Sequence, residues 1–321
     1  MLKAVKDTND HLQKPRRRRL RTIAMLPTLL TLGNLYFGFM AVYFCGREMH
    51  DIGAGISAND VLTMGRRSIE ALAPSFLSIA AWMLLSAMIC DALDGRVARR
   101  TGRTSKFGAQ MDSLADMVSF GVAPALMVMT MIRRELAQWG YAPFGFDQFG
   151  QAAVFISIIY VCCAALRLAR FNVETSVDET AHQGFRGLPS PAAAAALVSL
   201  IFLHDRLDTS GGWQRTADVI TKIMPLCTLT IGLLMVSRVP YVHAVSAFLR
   251  RRPFGHMVPV LLAFAMLLLY PEHLIVVAAW AFVASGPLRM ILDKIKGTPL
   301  ESQNDENQTN NSADEITRKQ A

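Results

Sequence analysis

Charge is scarce in this chain. Asp, Glu, Lys and Arg make up 18% of its 321 residues against 52% hydrophobic, where soluble domains carry about 25% charged residues. A surface turned wholly to water is therefore not expected. Cysteine is scarce too. Cys45, Cys90, Cys162, Cys163 and Cys227 are odd in number, lie in or beside apolar blocks and show no metal-ligand spacing, which argues against a disulfide framework. They read as small core residues. No zinc spacing or nucleic-acid motif accompanies the net charge of +8, and the basic residues stand beside apolar blocks, so no nucleic acid is expected as partner. Anionic phospholipid is the better match. No internal repeat is visible, which leaves an inverted-repeat transporter without support. The polar lead ends in "RRRRLR" and precedes a full-length apolar segment, a poor fit to a cleaved signal.

What the chain has in abundance is apolar blocks near the ~20 residues needed to cross a bilayer. They fall at about 25–45, 72–92, 110–132, 151–167, 190–204, 219–237, 255–270 and 273–291. The expected fold is an all-α, polytopic membrane helical bundle of about eight transmembrane helices. Its parts would be a basic juxtamembrane segment (1–24), a catalytic transmembrane core (25–205), further membrane helices completing the bundle (206–292) and a disordered polar tail (297–321). Lys and Arg concentrate before the first span, in the 93–109 loop, at 250–252 and after the last span. In an eight-span chain these fall on one side, so that side, with both termini, is expected to be cytoplasmic.

The most informative stretch is "DALDGRVARRTGRTSKFGAQMDSLAD", residues 91–116. Asp91 and Asp94 are three apart and Asp112 and Asp116 four apart, so each pair lines one face of its own helix. The two spans are antiparallel neighbours, which places the pairs side by side. One acidic residue at mid-bilayer costs roughly 2.5–3.5 kcal/mol, and neighbouring carboxylates repel one another. Divalent cations bound to carboxylate and phosphate oxygens resolve both problems, and an all-oxygen set suits Mg²⁺ or Mn²⁺. Gly95, after Asp94, and Gly108, before Asp112, would let a flat or bulky ligand approach the helix backbone.

Asp91, Asp94, Gly95, Ala98, Arg99, Gly108, Asp112 and Asp116 stand as D-x2-D-G-x2-A-R-x8-G-x3-D-x3-D. This pattern resembles, without departure, the signature of the CDP-alcohol phosphatidyltransferase family. The resemblance implies a core of six membrane helices, commonly paired as a homodimer. It implies transfer of a phosphatidyl or similar group from a CDP-linked donor to an alcohol, with release of CMP. By the same resemblance Asp91, Asp94 and Asp112 would hold a pair of metal ions on the donor's pyrophosphate, and Asp116 would join them and act as general base. Gly95 and Ala98 would make room for cytidine, Arg99 would contact phosphate and Gly108 would shape the nucleotide pocket.

The acceptor is less directly written. "LPTLLTLGNLYFGF" (26–39), "SFGVAPAL" (119–126), "ALRLARFNVET" (165–175) and "FRGLPSPAAAAAL" (185–197) are similar to the corresponding segments of membrane-integral phosphatidylserine synthases. That similarity implies CDP-diacylglycerol as donor and L-serine as acceptor. Arg167 and Arg170, where the fourth span ends, and Arg186 across the loop are candidates to bind serine carboxylate or phosphate. They serve equally as markers of the cytoplasmic side. "LPSPA" reads as a helix start with Ser190 at the cap and Pro191 first in the helix, a place that favours anions. Asn34, midway along the first span, must be hydrogen-bonded, either to another helix or to substrate. Another acceptor (glycerol 3-phosphate, an inositol phosphate or choline) stays open, as does the separate class of cation transporter.

Overall fold

A computed structural model of the chain describes residues 14–54, 75–101, 106–140, 148–177, 187–209, 212–239, 241 and 271–296. Among them there is no strand. The helices are α1 (Lys14–Gly53), α2 (Phe76–Thr101), α3 (Lys106–Asp116), α4 (Ala123–Gln138), α5 (Gln148–Val177), α6 (Ser190–Thr209), α7 (Gln214–Val236) and α8 (Pro271–Lys296). Six stretches among the described residues are long and apolar enough to cross a membrane: Pro27–Gly53, Phe76–Val97, Phe107–Gln138, Gln148–Val173, Gln214–Val236 and His273–Leu292. The chain is an integral, helical membrane protein. Of the eight expected spans, 255–270 lies outside the described residues, as do the terminal segments 1–13 and 297–321.

The fifth expected span, 190–204, is α6, and it lies inside the bundle. Ala193, Ala194, Ala196, Leu197, Val198 and Ile201 are all buried, so α6 is enclosed by other helices rather than by lipid. Small residues let those neighbours come close. By contrast α1 exposes Leu29, Leu32, Tyr36, Phe39 and Tyr43, spaced three and four apart along one stripe, as a lipid-facing surface should be. α1 packs along α2, α5 along α7, and α8 against α6.

α3 and α4 form one rod through a π-helical turn, Met117–Val122. Pro124 accounts for it. Proline lacks the N–H that would bond the carbonyl of Phe120, and its ring clashes with that carbonyl. The helix widens instead. The N–H of Ala123 bonds Val118 O, five residues back, and the hydroxyl of buried Tyr160 on α5 donates to Phe120 O at 2.9 Å. The widened turn begins at the residue after Asp116, and such turns are frequent at functional sites.

The loop expected at 93–109 is shorter than the charge pattern implied. α2 continues to Thr101 and α3 starts at Lys106, so all four aspartates sit within helices rather than at loop mouths. The start of α6 is fixed from the opposite direction. Gly187, at φ +90°, donates its N–H to Val239 O at 2.9 Å, and a Cβ there would lie 2.5 Å from Met235 O. Only glycine fits both the dihedral and the space. Gly33 and Gly38 also have internal neighbours. An added Cβ would lie 3.3 Å from Cys90 Sγ at Gly33 and 2.2 Å from Ser119 Oγ at Gly38, so both serve packing within the chain.

At the end of the bundle remote from the aspartates, α1, α2, α4, α6 and α7 converge on a buried polar cluster. Arg134 on α4 lies 2.8 Å from Asp205 on α6, 3.5 Å from Glu48 on α1 and 3.7 Å from its neighbour Glu135. Ser75 and Ser78, at the start of α2, both donate to Asp205. The N–H of Phe76, at the same helix start, donates to Glu48 at 3.1 Å. His204 meets Thr221 of α7 at 3.0 Å. Asn34 and Glu48 are separated by 14 residues of α1, about 21 Å at ~1.5 Å rise per residue, which sets this cluster well apart from the aspartates.

Candidate active site

The acidic site is assembled from α2 and α3 with α1 laid across them. One carboxylate oxygen from each of Asp91, Asp112 and Asp116 lies within 4.8 Å of the others. Asp94, one turn beyond Asp91, lies outside that close set. It accepts a hydrogen bond from the Thr31 hydroxyl of α1 at 3.0 Å. Asp116 accepts one from the Asn34 side-chain amide at 3.0 Å. No Lys or Arg among the described residues pairs with these four aspartates.

Three carboxylates this close, all at least partly buried, are unfavourable unless a cation or protons answer the charge. Oδ1 of Asp112 is buried with no hydrogen-bond partner. That orphaned acceptor, with its convergent oxygens and no ion pair to a Lys or Arg among the described residues, fits a divalent ion with oxygen ligands. The donor set is hard and contains neither His nor Cys, which disfavours zinc. This cluster could therefore hold a divalent metal.

The remaining motif residues fall around the aspartates. Gly95 follows Asp94 on α2, with Ala98 and Arg99 in the last turn of that helix, and Gly108 precedes Asp112 by one turn of α3. Arg167 on α5 is half-buried, close enough to Asp116 to feel its charge, and donates from NH1 to Ser190 Oγ at 2.6 Å. Its Nε is buried without a partner. Ser190 differs slightly from its expected place. Pro189 O accepts the bond from the N–H of Ala193, so Ser190 is already inside α6 and its hydroxyl is taken by Arg167. Arg170 lies one turn past Arg167, and Arg186 lies outside the described residues. Nearby, Ser113 of α3 donates to Asn172 of α5 at 3.1 Å.

The geometry thus gathers an acidic, cation-ready centre from two helices that carry the eight-position pattern, inside a membrane bundle. Residues 24–234 match the CDP-alcohol phosphatidyltransferase family. The chain belongs to that family. The matched stretch runs from α1 into α7, and with α3 and α4 taken as one rod it contains six helical rods. Relatives of this transferase include a CDP-diacylglycerol–serine O-phosphatidyltransferase of Helicobacter pylori, 29% identical over 222 residues, covering 69% of this chain and 73% of the relative. A protein of the same name from Methanocaldococcus jannaschii is 35% identical over 193 residues, covering 60% and 77%. An archaetidylserine synthase of Methanothermobacter thermautotrophicus is 36% identical over 151 residues, covering 45% and 57%.

Reading the sequence missed Thr31. Its only signal is a second polar residue three positions before Asn34 in an apolar helix, which places both on one face. It also missed Tyr160, whose bond to Phe120 O becomes necessary only once Pro124 is seen to vacate that carbonyl.

Proposed function

We propose that this transferase moves the phosphatidyl group of CDP-diacylglycerol to L-serine, giving phosphatidylserine and CMP, at the cytoplasmic face of the inner membrane and as a homodimer. The observation that carries the proposal is the convergence of Asp91, Asp112 and Asp116 with no ion pair among the described residues, in a chain whose relatives are named as serine phosphatidyltransferases. Asp91, Asp94, Asp112 and Asp116 would hold Mg²⁺ or Mn²⁺, two ions per site. When bound, such ions supply positive charge against the pyrophosphate and the departing CMP.

The chain's own groups account for the rest. Asp116 takes the proton of the serine hydroxyl as its oxygen bonds to the lipid-side phosphorus. The bond from that phosphorus to the CMP oxygen breaks, and the electron pair leaves with CMP. Arg99 contacts donor phosphate, while Gly95, Ala98 and Gly108 leave space for the nucleotide. Arg167, braced by Ser190 and with a buried Nε that has no partner, reads the serine carboxylate, a task suited to its rigid fork. Arg170 supplies further positive charge one turn beyond it.

The test is CMP release by purified protein in mixed micelles of detergent and CDP-diacylglycerol. L-serine alone should suffice as acceptor, while glycerol 3-phosphate, inositol phosphate and choline should not. Asp116→Asn should remain in the membrane and lose turnover. Normal turnover by that variant would remove the general-base role, and CMP release with another acceptor alone would remove serine.

A further inference from the structure

Among the described residues of α1, two polar side chains reach the acidic site, and each takes an aspartate from a different helix. Thr31 donates to Asp94 of α2 at 3.0 Å and Asn34 donates to Asp116 of α3 at 3.0 Å. Asp91 and Asp112, which complete the close set with Asp116, receive no hydrogen bond from the described residues of α1. One aspartate of each pair is tethered and its partner is left without a tether.

Ordinary helix-to-helix adhesion does not explain Asn34. Its side chain is fully buried, yet Oδ1 has no hydrogen-bond partner, and burying an unsatisfied amide oxygen is unfavourable. A residue selected only to join helices would use both ends of the amide. What the side chain achieves is to occupy Oδ1 of Asp116 and leave the other carboxylate oxygen to the site. The register that allows this is locked one turn further along. Ser119, just beyond Asp116, donates to the backbone carbonyl of Asn34 at 3.1 Å. Gly38 lets that serine approach so closely that no Cβ would fit.

We propose that α1 is the positioning helix of the acidic site, with Asn34 and Thr31 setting the orientations of Asp116 and Asp94 toward bound cation and substrate. Both are positioning residues, acting through carboxylates that touch the reacting groups. The inference rests on the metal-dependent transfer proposed above. Partners that orient metal ligands typically contribute 10–100-fold in metal affinity or activity.

The experiment uses full-length protein in detergent micelles. Mn²⁺ binding is measured directly from the electron paramagnetic resonance signal of free Mn²⁺, alongside CMP release at saturating Mn²⁺. Thr31→Val, nearly equal in volume, should weaken Mn²⁺ binding about tenfold, and Thr31→Ser should restore it. Asn34→Leu should lower kcat at least tenfold at saturating Mn²⁺ while leaving KM for CDP-diacylglycerol within about twofold. A purely packing role would be indifferent to the hydroxyl. Wild-type Mn²⁺ affinity in Thr31→Val, or no recovery in Thr31→Ser, would overturn the proposal for Thr31. Unchanged kcat in Asn34→Leu would overturn it for Asn34, and if that variant does not fold, the Thr31 pair decides. Should wild-type protein bind Mn²⁺ but release no CMP with serine, the acceptor assignment fails while the Mn²⁺ titrations still decide the role of α1.

Discussion

The two ends of this bundle both bury carboxylates, and they answer the negative charge in opposite ways. At one end Glu48, Glu135 and Asp205 surround the guanidinium of Arg134, and the starts of α2 and α7 contribute hydroxyls and an N–H. At the other end Asp91, Asp112 and Asp116 converge, and the side-chain hydrogen bond made to that set, from Asn34, comes from a neutral donor, with Arg167 near Asp116 but not paired with it. Among the described residues no guanidinium is paired with these carboxylates, as Arg134 is paired with its own about 21 Å further along α1. A buried ion pair supplied from within fixes helices relative to one another, whereas a deficit left open reserves the place for something that arrives from outside.

That contrast can be broken most forcefully at Arg134. Arg134→Met strands several buried carboxylates and should cost about 3–5 kcal/mol, read as a large drop in the thermal unfolding midpoint in micelles. A small change would mean that the cluster is not an internally neutralised clamp. Next in size is the response to metal. Mn²⁺ at about 100 times its Kd should stabilise wild-type protein by about 2.7 kcal/mol, and Asp112→Asn should lose most of that gain. Without metal, Asp112→Asn should be no less stable than wild type, because it removes repulsion. A destabilised metal-free Asp112→Asn would show that the acidic end, too, is structurally self-sufficient. The smallest effects concern neutral hydrogen bonds, on which the two ends should agree. Tyr160→Phe and Thr221→Val should each cost about 1 kcal/mol, and a much larger loss for Tyr160 would mark the π-helical turn as a point of unusual strain.

Much of the acidic site was legible because its residues are local in sequence. The eight-position pattern lies within 91–116, and helical spacing alone places each aspartate pair on one face. The family and the membrane bundle followed from the same stretch and from the apolar blocks. The opposite cluster was not legible. Glu48, Arg134 and Asp205 come from three distant helices, and no spacing rule joins them. Arg134 and Glu135 close a long apolar rod and read as an ordinary span end. The enclosure of α6 was hidden for a related reason, since an alanine-rich apolar run reads as one more membrane span until its neighbours are known. Charge counting shortened α2 as well, because the basic residues after Asp94 resemble a loop although they continue the helix to Thr101.

The π-helical turn between α3 and α4 bears on how one rod serves both ends. Each residue advances an α-helix by about 100°, so widening the coil at Met117–Val122 changes the angular phase of everything that follows. Asp112 and Asp116 can then aim at one set of neighbours while Arg134 aims at another. A single straight helix would tie those two bearings together. The irregularity that Pro124 imposes acts as a coupling between two shafts, each clocked to its own task.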